Sequence, residues 1–129
     1  MTVEANAPPE VVTYCHCNDC RRLSGAPVAA FAAFAEDVLD FRPDRGRFHS
    51  SSPAVERWSC PSCGTQLAAL YDYLPGQIYV PIGLFDQAAD LVPSHHSHAD
   101  SAFPWFHLND ELGRSGASGR DVLNTEREA

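Results

Sequence analysis

The sequence predicts a mainly β domain of many short strands, with one or two helical turns. Three observations predict it. Ten prolines and eight glycines cut the 129 residues into short pieces, and both residue types punctuate regular structure. Few segments carry a long apolar period of about 3.6 residues, the mark of an amphipathic helix. Runs of strand character recur between turn residues, and each of two cysteine groups follows such a run.

Residues 11–14, Val-Val-Thr-Tyr, read as a strand leading into the first cysteine group. Residues 28–34 form an alanine-rich apolar run that periodicity alone leaves open between strand and short helix. Gly25 and Pro27 before it and the bulky Phe31 and Phe34 within it favour strand. Residues 36–39 suit a single helical turn. Residues 47–51 and 55–59 flank Ser52-Pro53 as a hairpin, and residues 67–71 and 77–80 flank Leu74-Pro75-Gly76 as a second one. No internal repeat is evident. Residues 113–129 are polar, with three glycines and three arginines. They read as a surface tail, with helical character near 120–128 and no assigned function.

One domain of this length can bury its own core. Lysine plus arginine number 9, all arginine, against 17 acids, for a formal charge of −8. There is no basic run, which argues against phosphate-driven nucleic-acid binding and against an anionic membrane surface. An anionic small molecule stays allowed, because local arginines can bind one. The first six residues lack the basic start and apolar run of a signal peptide. No stretch approaches the roughly 20 apolar residues of a membrane span. The expected compartment is the cytoplasm, where thiols stay reduced.

All five cysteines lie in two tight groups, Cys15-His16-Cys17-Asn18-Asp19-Cys20 and Cys60-Pro61-Ser62-Cys63-Gly64. That clustering points to metal, and to zinc, rather than to disulfides or to inert buried thiols. Cys15 and Cys17 project to one side of an extended segment, and a tight turn through Asn18-Asp19 can bring Cys20 round to meet them. Zinc takes thiolates at about 2.3 Å in a tetrahedron. In the second group Gly64 permits the positive φ of a knuckle. Two sharings of ligands stay open. Cys17, Cys20, Cys60 and Cys63 can form one closed, ribbon-like structural site. Alternatively Cys15, Cys17 and Cys20 form a three-thiolate site with an open fourth position, as catalytic zinc has. The 39 residues from 21 to 59 exceed the usual ribbon gap of roughly 15–20, which mildly disfavours the ribbon.

Other candidates are weaker. Arg21 and Arg22 follow the third cysteine, and either can balance an anionic metal centre or meet a substrate carboxylate. Arg57 precedes the knuckle and reads as structural. His16 is expected to point away from the metal. His95, His96 and His98 read as a surface loop, with His96 the best candidate to line a pocket or carry a proton. Trp105 and Phe106 read as core or pocket wall. Asp86, Asp110 and Glu111 receive no role.

The run Cys15-His16-Cys17-Asn18-Asp19-Cys20-Arg21-Arg22-Leu23-Ser24-Gly25-Ala26-Pro27, with Arg57-Trp58-Ser59-Cys60-Pro61-Ser62-Cys63-Gly64-Thr65-Gln66-Leu67, strongly resembles the glutathione-dependent formaldehyde-activating family, which includes centromere protein V-like proteins. Ile82-Gly83-Leu84-Phe85-Asp86, Pro93-Ser94-His95-His96, Pro104-Trp105 and Asp110-Glu111-Leu112 resemble later family segments in the same order. The resemblance covers roughly residues 3–112 and implies one zinc-binding domain over residues 1–112. It implies a β-tent fold of short antiparallel sheets. It implies a catalytic-type zinc on Cys15, Cys17 and Cys20, and a structural-type zinc on Cys60 and Cys63 together with an N-terminal Cys-x-Cys-Gly. That last motif has no counterpart here, since no cysteine precedes Cys15, so the structural site is incomplete as written. A start placed too late is the expected reason. Completion by other residues or a second subunit, or loss of the site, are the alternatives.

The implied reaction joins glutathione to formaldehyde as S-hydroxymethylglutathione, and its reverse makes the class a carbon–sulfur lyase. Glutathione or another small thiol is then the partner, with Arg21 and His96 as substrate-binding candidates. A non-catalytic, zinc-stabilised binding module with the closed ribbon-like site is the alternative.

Overall fold

The computed structural model describes residues 1–124. Ten short strands and two short helices make up a mainly β fold, joined by 3-10 turns. The strands are β1 (Thr2–Ala5), β2 (Val11–Cys15), β3 (Ala29–Ala35), β4 (Leu39–Arg42), β5 (Arg47–Ser52), β6 (Val55–Ser59), β7 (Gln66–Tyr71), β8 (Gln77–Pro81), β9 (His95–Ser97) and β10 (Gly113–Arg114). The helices are α1 (Asn18–Ser24) and α2 (Arg120–Leu123). β1 and β4 pair as an antiparallel ribbon, and the other strands form one sheet in the order β10-β9-β2-β3-β8-β7-β6-β5.

Both expected hairpins form: β5 with β6 and β7 with β8, all antiparallel. The alanine-rich run is strand β3, and the helical turn after it is the 3-10 turn Glu36–Val38. Two features depart from the expectation of purely antiparallel sheets. β2 pairs in parallel with β9, and β9 in parallel with β10. The histidine segment read as a surface loop is thus strand β9, buried along its whole length. The apolar content of Pro-Ser-His-His-Ser-His is too low to show this, because its burial comes from docking beside β2.

The sheet is covered on both faces. On β3, Phe31 and Ala33 face one apolar cluster with Cys15, Cys20, Tyr79, Leu74 and Leu123. Ala32 and Phe34 face another with Val12, Ala68, Ile78 and Val80. Alanines at the centre, 0 % exposed at 32, 33, 68 and 69, let covering elements approach a two-sided sheet closely. Gly46, at φ +93°, has no room for a Cβ, which would lie 2.3 Å from the Ser59 carbonyl oxygen. That close approach ties the β4–β5 turn to the strand that carries the knuckle.

The stretch read as a surface tail is part of the domain as far as Asn124. β10 extends the sheet, Leu123 of α2 is 2 % exposed, and the Gln77 amide donates to the Leu123 carbonyl at 3.1 Å. The remainder of the 120–128 helical expectation lies outside the described residues beyond Asn124. Removing a buried leucine side chain costs about 2–5 kcal/mol. Leu123→Ala should therefore lower unfolding free energy by that amount in denaturant titration. A loose tail would show a change within about 0.5 kcal/mol.

Candidate metal centre

Cys15, Cys17 and Cys20 converge on one point. Their Sγ atoms all lie within 4.8 Å of one another. Cys15 ends β2, and Cys17 continues extended at ψ 155° and caps α1. The turn expected at Asn18-Asp19 is this helix, not a bare turn. The Cys17 Sγ accepts from the Cys20 backbone N–H at 3.3 Å, as a side-chain N-cap does. One helical turn then carries Cys20 back over Cys15. Gly25, in the left-handed region at φ 70°, ends the helix with its N–H on the Arg21 carbonyl.

The set fits a soft cation. A tetrahedral zinc with sulfur at about 2.3 Å places its ligands about 3.8 Å apart, so sub-ångström movement suffices. Three sulfurs with no carboxylate select zinc-like metals over magnesium or calcium. The thiols act on one another strongly. Hydrogen bonds from Cys15 and then Cys20 pull the Cys17 thiol far down. The bond to Cys17 first, then that to Cys20 and burial, push Cys15 far up.

The cluster opens on a cavity of about 230 Å³. Phe31, Tyr71, Tyr73, Tyr79, Leu74 and Leu123 give it an apolar wall, and Thr13, Arg57, Ser97 and His98 bring polar atoms to it. Register explains who arrives there. Thr13 and Cys15 pair with His95 and Ser97 of β9, and Arg57 pairs with Ala69, itself opposite Tyr79. Arg57, read as structural, is 1 % exposed with Nη2 3.9 Å from the Cys20 Sγ. The available signal was its alternation with Val55, which puts both on the inward face of β6. The tyrosines and His98 carried no local signal.

Tyr14, His16 and His96 occupy the opposite face. The His96 ring stacks on Tyr14 at 4.7 Å and on His16 at 5.1 Å. Its Nδ1 shares a 2.9 Å hydrogen bond with the His16 Nε2, and its Nε2 meets Asp110 at 3.0 Å. His16 points away from the cysteine cluster, as expected. His96 does not line the cysteine cavity; His98, two residues on, does. Arg21 is also elsewhere. Its guanidinium donates to the Ser101 carbonyl and the Asn18 side chain and lies 4.0 Å over the Phe103 ring. It joins Arg22, Pro27 and Trp105 around a separate surface groove.

Cys60 and Cys63 form the expected knuckle. The Gly64 N–H meets the Cys60 carbonyl at 2.8 Å, and Gly64 sits at φ 79°. The pair lines a different cavity, with Phe34, Phe41, Phe85, Leu91, Met1 and strand β1. Among the described residues the Cys15, Cys17 and Cys20 group is the one set of three metal-type donors drawn together. The closed four-cysteine ribbon therefore does not form, because the two groups serve different faces of the sheet.

A model of the glutathione-dependent formaldehyde-activating enzyme family matches residues 1–101. No curated protein matches the chain. Among three solved chains that match, a crystal structure of a Rhodobacter sphaeroides protein shares the fold at a TM-score of 0.53, with 15 % identity over 88 % of each chain. The chain belongs to the glutathione-dependent formaldehyde-activating enzyme family.

Two outcomes follow from this geometry. Cys17→Ser should abolish metal at the three-cysteine centre, and Cys60→Ser should leave it there. Metal counted per chain by atomic emission, with folding followed by circular dichroism, checks both. Asp110 is held below the ordinary carboxylate range, chiefly by its hydrogen bond to His96. A lowered carboxylate adds stability above its unfolded pKa of about 3.9 and loses it as pH falls through the folded value. Asp110→Asn should thus be less stable than the parent at neutral pH, and denaturant curves should show the gap closing in acid below about pH 4.

Proposed function

We propose that this family member holds zinc at Cys15, Cys17 and Cys20, takes glutathione or a similar small thiol by its sulfur, and promotes its addition to formaldehyde. The observation that carries the reading is a three-sulfur cluster, two of its cysteines buried and Cys17 half-buried, beside a largely apolar cavity that Cys15 and Cys17 line. Family membership names the thiol and the aldehyde. Cys15, Cys17 and Cys20 would hold zinc with a fourth position open to substrate, where the metal would favour the ionised form of a bound thiol near neutral pH. A free thiol of pKa about 8.5 is mostly protonated at that pH.

The chain's own residues do the rest. Cys15, Cys17 and Cys20 set where the sulfur of the substrate arrives. The walls of Phe31, Tyr71, Tyr73 and Leu74 keep water from the aldehyde, which otherwise hydrates. In the addition a carbon–sulfur bond forms, the carbonyl π pair moves to oxygen, and that oxygen takes one proton. His98 lines this cavity, so it is the histidine placed to supply the proton. The reverse reaction breaks the carbon–sulfur bond, as a lyase does. Neither Arg21 nor His96, the candidates from the sequence, lines this cavity.

Cys60 and Cys63 fit half of a structural zinc site, and among the described residues no third metal-type donor is drawn to them. Five free cysteines used as thiolate ligands suit a reducing compartment, and we assign the cytoplasm on that ground. No helix among the described residues is long and apolar enough to cross a membrane.

Exchange NMR tests the activity directly. Zinc-loaded protein should speed interconversion of glutathione and its hydroxymethyl adduct well above the spontaneous rate, and Cys17→Ser should not. Equal rates for the two proteins would reject the formaldehyde reading.

A further inference from the structure

Arg57 is the least expected side chain at the centre. It sits mid-strand on β6 and is 1 % exposed. Taking a guanidinium out of water is costly unless charge and hydrogen bonds compensate it. Its Nη2 lies 3.9 Å from the Cys20 Sγ, its carbon lies 5.9 Å from the Tyr71 ring centre, and it lines the same cavity as Cys15 and Cys17.

Charge arithmetic gives this placement a purpose. A divalent ion on three thiolates carries −1. A substrate thiol that binds as thiolate, its proton passing to solvent, makes it −2. In a cavity walled by tyrosine, phenylalanine and leucine the second negative charge is poorly screened. A neutral ligand at the fourth position brings no such burden. A buried, permanently charged arginine at the cluster returns the thiolate-bound centre to −1.

We infer that Arg57 is the counter-charge that makes the three-cysteine centre selective for an anionic sulfur ligand, acting on the charge of the bound thiol rather than on the peptide part of glutathione. This rests on the reading of the site as a thiol site. Arg57 is a positioning residue here, because it acts through the cluster.

The test uses protein loaded with cobalt in place of zinc, so that ligand binding is read from the cobalt absorption spectrum without any aldehyde. Three probes separate the sources of affinity. Glutathione has thiol and carboxylates, 2-mercaptoethanol has the thiol without carboxylates, and S-methylglutathione has the carboxylates without an ionisable thiol. S-methylglutathione is followed by competition. Arg57→Met and Arg57→Gln should weaken glutathione and 2-mercaptoethanol together, each by about 10–100-fold, the size seen when a supporting group around a metal is removed. S-methylglutathione binding should not change. Arg57→Lys, which keeps the charge, should recover most of the loss. A merely structural arginine would not sort ligands by charge. Loss confined to glutathione and S-methylglutathione would show a carboxylate contact instead and overturn the inference, as would equal thiol affinity in all four proteins. Thiol binding by the parent that is indifferent to Arg57 removes only this inference. Failure of the parent to bind any thiol removes the functional reading with it.

Discussion

Everything at the site depends on the register of β2. Its residues alternate between the two faces of the sheet, so Thr13 and Cys15 look one way and Tyr14 and His16 the other. A slip of one residue would send every side chain to the wrong face. Two neighbours prevent it. β3 holds β2 from Val11 to Cys15 on one edge. β9 holds the other edge in parallel, and the His16 N–H reaches the Ser97 carbonyl at 3.0 Å one residue past the strand end. Thr13 adds a buried 2.9 Å hydroxyl pair with Ser97. The first two cysteines are thereby placed by backbone pairing before any metal arrives.

The third cysteine is placed by a different device. Helix α1 has only seven residues, too few to stand alone. It forms because β2 delivers Cys17 in the extended geometry of an N-cap and because Cys20 buries itself against β3. One thiol thus serves twice, as a helix cap and as a metal-type donor. That coupling explains why the spacing Cys-x-Cys-x-x-Cys works. Two residues along a strand and three along a helix both return to the same side.

The opposite face supports the same segment. Tyr14, His96 and His16 stack, and Asp110 anchors the middle ring with help from Arg114 at 3.1 Å. Desolvation lowers the pKa of His16 in this stack, and His96 beside it adds to that. The residues that follow β9 close the arrangement. The Ser115 N–H meets the His96 carbonyl at 2.9 Å, and the His98 N–H meets the Ala117 carbonyl. Residues 113–124 are therefore a wall of the domain, and Leu123 reaches the cavity itself.

The sequence by itself determined the class of fold, most strands, the two hairpins and the two cysteine groups. These are local matters: turn residues, β-branched and aromatic runs, and ligand spacings within six residues. It also carried the orientation of His16, since an odd residue between two like-facing cysteines must face away. Tertiary structure alone decided which distant groups share a cavity. The parallel docking of β9 buries a polar histidine run, and that burial has no apolar pattern to announce it. The shift from His96 to His98 as the cavity histidine follows from that docking. Arg57, Tyr71 and Tyr73 reach the cavity because β7 pairs with β8 and β6 with β7, far along the chain from the first cysteine group. The separation of the two cysteine groups was likewise invisible in spacing, because it depends on which face of one sheet each strand end serves.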